Sequence, residues 1–176
     1  MIVVGIDPSL TGTGVAVIDT DDVLTITCDT IGSKGHRDDT WTDRWGRITN
    51  LADTIAGAVP DGAVVAVEAP SYGQARQGGV HDRAGLWWAL YGRLTETGHD
   101  IHPVPPATRA RYATGKGNAG KDAVLAAAVR RYPQAPIVDN NQADAVVLAA
   151  YLARTLGNPV EEHLPVAHLA AVKGAA

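Results

Sequence analysis

The stretch Met1-Ile-Val-Val-Gly-Ile-Asp-Pro-Ser-Leu-Thr-Gly-Thr-Gly14 carries most of the information about the fold. Its apolar first half predicts a buried strand that ends at Asp7. Residues Gly12–Asp19 predict a second strand, and the polar sequence Asp19-Thr-Asp-Asp predicts a hairpin turn before a third strand over Val23–Thr30. The chain is therefore expected to begin with an antiparallel meander.

The rest of the chain alternates helical patterns with short apolar runs. Apolar residues recur at three- and four-residue steps from Trp41 to Ala56, which predicts a helix, and Ala63–Glu68 predicts a fourth strand. A strand, a helix and a strand in this order indicate a parallel crossover. We therefore expect an α/β fold, a mixed five-stranded sheet with helices on both faces. The other predicted elements are a helix Val80–Gly98, a strand Ile101–Val104, a brief helix over 107–113, and helices Lys121–Tyr132 and Asn141–Leu156.

The length of 176 residues fits one domain with its own core. We assign residues 1–157 to this domain and expect residues 158–176, which show no clear periodicity, to form a loosely attached tail. The sequence contains no apolar run of the length that spans a membrane and no signal-peptide pattern. Cys28 is the only cysteine, so an internal disulfide is excluded, and this suits a reducing, cytoplasmic location.

Acidic residues follow two of the predicted strands and lie on the last helix. Asp7 ends the first strand, Glu68 ends the fourth, and Asp144 lies near the start of the helix, three residues after Asn141 and on the same face. Carboxylates beside buried strands are costly unless a cation pairs them. An all-oxygen ligand set favours Mg²⁺ or Mn²⁺, and two such ions about 4 Å apart can hydrolyse a phosphodiester. Each acid taken alone is also compatible with a helix cap or a turn residue.

Two glycine-rich stretches raise the alternative of a nucleotide site. The turn after Asp7 has the small residues that cradle a phosphate in sugar-kinase and chaperone ATPases, but those proteins enclose the nucleotide between two lobes and this chain has room for one. The sequence Gly115-Lys-Gly-Asn-Ala-Gly-Lys is not a P-loop, because Asp122 follows Lys121 where Ser or Thr is required. It is better interpreted as a cationic loop that contacts phosphates.

The net charge of −4 argues against a nucleic-acid partner, but the cations are clustered. Between Arg109 and Arg131 six cations face one acid, Asp122, which makes this segment +5. A segment of this charge is typical of a solvated face and equally of a surface that attracts a polyanion. The candidate contacts to nucleic acid within it are Arg109, Arg111, Lys116 and Lys121.

Other features permit narrower predictions. The glycine-rich segment from Pro70 to Gly79 is expected to be a surface loop that contacts nucleic acid through Tyr72 and Arg76. Trp87 and Trp88 cannot both face one side of a helix, so one is expected in the core and the other on the surface or in a subunit interface. His81 is expected to be an exposed residue at a helix start.

Four motifs in register resemble the RuvC family of Holliday junction resolvases, in particular the RuvC-like proteins of actinobacteria and their phages. These motifs are Gly5-Ile-Asp-Pro-Ser-Leu-Thr-Gly-Thr-Gly, Val67-Glu68, the segment from Pro106-Ala-Thr through Lys121-Asp-Ala-Val, and Gln142-Ala-Asp-Ala. The resemblance extends over about residues 1–157. A stretch like His81-Asp-Arg-Ala-Gly-Leu-Trp-Trp and a loop like Ala113-Thr-Gly-Lys-Gly-Asn-Ala are also found in those relatives.

The resemblance implies a ribonuclease H-like fold, Mg²⁺-dependent nicking of branched DNA such as a four-way junction, and a homodimer that cuts opposed strands in a bacterial or phage-infected cell. By position it implies the metal ligands Asp7, Glu68, Asn141 and Asp144. Lys121 would be a catalytic or phosphate-contacting lysine.

Three departures from the family pattern leave alternatives open. Asn141 stands where the family has Asp or His, which should weaken a second metal site unless Asp139 compensates. The position of the family's aromatic wedge is Ser71, so Tyr72 is the nearest substitute. The acidic net charge is unusual for a junction binder. The alternatives are a ribonuclease H-like nuclease acting on RNA or flaps, and a non-catalytic nucleic-acid-binding protein of the same fold.

Overall fold

A five-stranded sheet organises the chain, seen here in a computed structural model that describes residues 1–21, 23–70 and 79–172. The strands are β1 (Ile2–Asp7), β2 (Thr13–Asp19), β3 (Thr25–Ile31), β4 (Val64–Glu68) and β5 (Asp100–Val104). Their order across the sheet is β3-β2-β1-β4-β5, with β1–β2 and β2–β3 antiparallel and β1–β4 and β4–β5 parallel. The predicted meander and the predicted parallel crossover are both confirmed.

Helices cover both faces of this sheet. They are α1 (Trp41–Gly57), α2 (Val80–Glu96), α3 (Pro106–Thr114), α4 (Lys121–Arg131), α5 (Asn140–Thr155) and the short α6 (Val166–Leu169). One apolar core lies between the sheet and the pair α1 and α2, and it includes Ile6, Leu51 and Leu90. The other core joins the sheet to α3, α4 and α5. This arrangement confirms the predicted α/β fold class.

Helix α5 is the central element of the second core, and its residues are buried from Gln142 to Ala153. It lies directly on the backbones of β1 and β2 because glycines face it. A Cβ atom on Gly5 would lie 2.0 Å from the backbone oxygen of Ala145, and one on Gly14 would lie 1.9 Å from that of Asn141. Contacts this short exclude any side chain at either position. The glycines therefore bring the start of α5 to the strand end where Asp7 lies.

Segments after residue 157 make specific contacts with this core. The Glu161 carboxylate, 8% exposed, accepts hydrogen bonds from the hydroxyls of Tyr112 and Tyr132, and Arg154 donates to it at 3.2 Å. His168 of α6 lies 2.9 Å from the backbone oxygen of Tyr112. The described part of the tail is thus held by buried polar contacts, in contrast to the loose attachment expected from its sequence. The sequence did not indicate this attachment because the anchoring residue is a glutamate, and a charged residue adds nothing to a periodic pattern of apolar residues. The domain boundary at residue 157 stays a prediction.

Within the described ranges, none of the helices combines the length and the apolar character that crossing a membrane requires.

Candidate active site

Three carboxylates meet where β1 and β4 end. The two strands are parallel neighbours paired through Ile6 and Val67, so the next residues, Asp7 and Glu68, leave the sheet at the same edge. Asp144 reaches this edge from the first turns of α5, and its side chain is 3% exposed. The convergence expected from the sequence is therefore present in the fold. The catalytic roles of these residues stay predictions.

A guanidinium lies between two of these carboxylates. Arg109 donates from Nε to Oε2 of Glu68 and from Nη1 to Oδ1 of Asp144. Its helix, α3, begins directly after β5, and the backbone N–H of Ala69 donates to the Val104 carbonyl at 2.8 Å at the end of that strand. The chain thus delivers Arg109 to the site from the strand beside β4. The Arg109 side chain is 10% exposed, so water has little access to these ion pairs and salt weakens them less than it weakens surface pairs.

The electrostatics of the cluster favour binding of a further cation. Burial, followed by the charges of Glu68 and Asp144, raises the pKa of Asp7 from 3.8 to about 7. Burial also raises the pKa of Asp144 to about 6, against the opposing effect of Arg109. The charge of Lys121 lowers both values, which places its ammonium near the two carboxylates. The negative charge of the three carboxylates, when all are ionised, therefore exceeds the positive charge of Arg109 and Lys121.

Oxygen chemistry at the cluster fits Mg²⁺ or Mn²⁺, and Asp7, Glu68 and Asp144 would hold such an ion. The Asp7 carboxylate makes no hydrogen bond and no ion pair with any of the residues that the structure describes. The same part of the chain contains no group of three His, Cys, Asp or Glu side chains arranged around one ion position. Arg109 engages one oxygen of each of the other two carboxylates and leaves the second oxygen of each for an ion.

The two other candidate ligands, Asp139 and Asn141, lie at the start of α5 and make different contacts. Asp139 is the N-cap of α5, and it accepts hydrogen bonds from the backbone N–H of Gln142 at 2.8 Å and from the Thr30 hydroxyl at 2.7 Å. Both of its carboxylate oxygens are therefore engaged in capping the helix and tethering β3. Asn141 lies against the start of β2, where a Cβ on Gly12 would be 3.0 Å from its Nδ2 atom. A role for Asn141 as a metal ligand stays a prediction.

The predicted nucleic-acid contacts differ in their exposure. Arg111, Lys116 and Lys121 are exposed, and Lys121 is the first residue of α4. Arg109 was expected among them, but the structure buries it in the cluster because Glu68 and Asp144 need a counter-ion. Its interaction with DNA stays a prediction. The remaining candidates, Tyr72 and Arg76, and also Ser71, lie outside the described residues.

Two features of the site were missed by sequence reasoning. One is the pairing of Arg109, although Arg109, Tyr112 and Ala113 lie on the buried face of α3, and an arginine on such a face indicates a buried partner. The other is Trp87, whose indole N–H donates to the backbone oxygen of Glu68 at 2.9 Å. Trp87 is buried and Trp88 is 65% exposed, as the helical pattern predicts, and His81 is exposed at the start of α2.

Comparison with solved structures shows that this chain has the same fold as RuvC. A structure of Thermus thermophilus RuvC matches with a TM-score of 0.64 and 22% identity, over 90% of this chain and 98% of that one. The T. thermophilus RuvC structure in complex with a Holliday junction substrate matches with a TM-score of 0.62 and 21% identity, over 90% and 97%. The yeast mitochondrial Holliday junction resolvase Ydc2 matches with a TM-score of 0.54 and 13% identity, over 98% and 82%.

No protein-family model matches the sequence, and no curated protein matches it either. The similarity is therefore one of fold, and it agrees with the resemblance that the sequence motifs indicate.

Proposed function

We propose that this protein is a metal-dependent endonuclease that nicks branched DNA of the four-way junction type. The observation that carries the proposal is the convergence of Asp7, Glu68 and Asp144 at one edge of the sheet, in a chain with the fold of RuvC. One of the solved structures with this fold is a complex with a Holliday junction substrate.

The residues of the cluster would have distinct roles in cleavage. A bound Mg²⁺ would supply an activated water and stabilisation of the leaving oxygen. Asp7, Glu68 and Asp144 would hold the ion, and Arg109 keeps Glu68 and Asp144 close together. The Lys121 ammonium, near the carboxylates and exposed, attracts the phosphate and offsets its charge.

Binding of DNA by an acidic protein requires a local cationic surface. The exposed cations Arg111, Lys116 and Lys121 provide one on α3, on α4 and on the loop between them, and Lys121 lies nearest the carboxylates. Contacts of this kind make affinity fall steeply with salt. We include a homodimer in the proposal, since a four-way junction offers two opposed strands to two identical sites, and light scattering with and without junction DNA tests it.

A non-catalytic junction-binding protein is the second candidate, and a specific observation favours it. Arg109 occupies the space between Glu68 and Asp144, which is where a nuclease needs access to its ligands. In this alternative, the ion pairs of Arg109 permanently replace the metal, and the protein would bind junction DNA through its cationic surface without cutting it.

A substrate panel separates these candidates. Labelled four-way junction, flap, linear duplex and RNA–DNA hybrid are each incubated with the protein in Mg²⁺ or in EDTA, and binding and cleavage are measured in parallel. The proposal expects cleavage of the junction in Mg²⁺ alone, with little cleavage of linear duplex. Preferred cleavage of the hybrid or the flap would identify a different nuclease. Tight binding of the junction without cleavage in Mg²⁺ or Mn²⁺ would favour the non-catalytic protein.

A further inference from the structure

Arg109 brings a permanent positive charge into the carboxylate cluster. A guanidinium keeps its proton at any pH that a folded protein tolerates, and here it contacts Glu68 through one nitrogen and Asp144 through another. Each carboxylate therefore keeps only one oxygen that the guanidinium does not engage. The guanidinium thus holds Glu68 and Asp144 together with its positive charge, as a metal cation would.

The charge balance of the cluster limits how many further cations it can take. Asp7, Glu68 and Asp144 contribute three negative charges, Arg109 and Lys121 contribute two positive charges, and the fourth candidate ligand, Asn141, is an uncharged amide. One divalent ion brings the total to +1, and the phosphodiester of a bound DNA strand then brings it to zero. A second divalent ion would leave an excess of +2 in a largely buried site, which is strongly unfavourable.

We propose that Arg109 takes the place of one of the two metal ions expected from the sequence, so that the centre binds a single divalent cation. This inference rests on the proposed metal-dependent nuclease function. Arg109 then acts as a positioning residue and as a fixed counter-charge between Glu68 and Asp144. Asp7, whose carboxylate has no ion-pair partner among the described residues, is left as the main anchor of the single ion.

Mn²⁺ binding to the full chain tests this directly. Free Mn²⁺ is measured by electron paramagnetic resonance during titration, in parallel with calorimetry, for the wild type, Arg109→Met, Arg109→Lys and Arg111→Met. Methionine removes the charge of Arg109 but keeps an extended side chain, and lysine keeps the charge. Arg111→Met is the matched control, since it removes the same charge from an exposed position two residues away on α3.

The proposal expects one Mn²⁺ per chain for the wild type, for Arg109→Lys and for Arg111→Met, and a second Mn²⁺ for Arg109→Met. The Mg²⁺ dependence of single-turnover junction cleavage by the wild type should have a Hill coefficient near one. Two ions bound to the wild type, or a Hill coefficient near two, would overturn the inference while leaving the nuclease function intact. If Arg109→Met does not fold, the wild-type stoichiometry alone decides between one ion and two. Absence of any Mn²⁺ binding together with metal-independent or absent cleavage would instead refute the proposed function and this inference with it.

Discussion

Trp87 donates its indole N–H to the backbone carbonyl of Glu68 at 2.9 Å, which ties the apolar layer of α2 to the strand end that presents the carboxylate. Trp87→Phe removes this donor and leaves a partly buried carbonyl without it. We expect the free energy of unfolding to fall by about 1–3 kcal/mol, measured by urea denaturation. Trp88→Phe, an exposed neighbour on the same helix, is the control and should change it by less than about 0.5 kcal/mol. Equal effects of the two substitutions would refute a specific role for the Trp87 hydrogen bond.

The contact of α5 with the sheet depends on the absence of a side chain at Gly14. Gly14→Ala would place its Cβ 1.9 Å from the backbone oxygen of Asn141, and helix or strand must shift to avoid this contact. We expect a loss of roughly 3 kcal/mol or more of unfolding free energy, because a packed core has no room for the displacement. Gly46→Ala serves as the control, since nothing lies within 4 Å of its Cβ position on α1 and alanine favours a helix by about 0.5–1 kcal/mol. A fully stable Gly14→Ala protein would contradict this packing.

The raised pKa values predict how the metal-free protein responds to pH. Asp7 titrates near 3.8 in the unfolded chain and near 7 in the folded protein, so the folded state binds its proton more tightly between these values. The unfolding free energy should therefore fall as the pH rises from about 4 to 7, by an amount on the order of a few kcal/mol. Thermal melts in EDTA at pH 5 and pH 8 measure this change.

Asp7→Asn separates the contribution of Asp7 from that of Asp144, whose pKa is raised in the same direction. Asparagine cannot ionise, so most of the fall in stability between pH 5 and pH 8 should disappear, and the variant should be more stable than the wild type at pH 8. An identical pH dependence in the two proteins would show that Asp7 is not the buried, unpaired carboxylate described above.

The buried Glu161 carboxylate is expected to stabilise the whole domain. Glu161→Ala leaves the hydroxyl of Tyr132 without its acceptor, leaves that of Tyr112 with only the Ala150 carbonyl at 3.3 Å, and removes the carboxylate that pairs with Arg154. We expect this substitution to lower the unfolding free energy by roughly 1–3 kcal/mol. Glu162→Ala, at the adjacent exposed position, should have almost no effect. If both variants unfold at the wild-type urea concentration, residues after 157 are not a structural part of the domain.

Much of the fold could be predicted because its signals are local. Apolar runs, turn residues and helical periodicity define the elements to within a few residues, and the helix between β3 and β4 predicts that these two strands run parallel in one sheet. The pairing of Arg109 and the anchoring of Glu161 could not be predicted in the same way. The ion pairs of Arg109 and the bonds of Glu161 to the two tyrosines join charged or polar groups 29 to 49 positions apart, and such groups look like surface residues in a sequence.

Single-turnover cleavage of a four-way junction by Asp7→Asn tests whether the carboxylate cluster is the active site, because this substitution removes a ligand charge without breaking any side-chain hydrogen bond or ion pair among the described residues. The control is Asp122→Asn, an equivalent change at an exposed position on α4. With both variants folded and bound to the junction in Mg²⁺, we expect Asp7→Asn to lower the cleavage rate on the order of a hundredfold or more and Asp122→Asn to leave it near the wild-type value. Wild-type cleavage by Asp7→Asn would contradict the assignment of this carboxylate cluster as the active site.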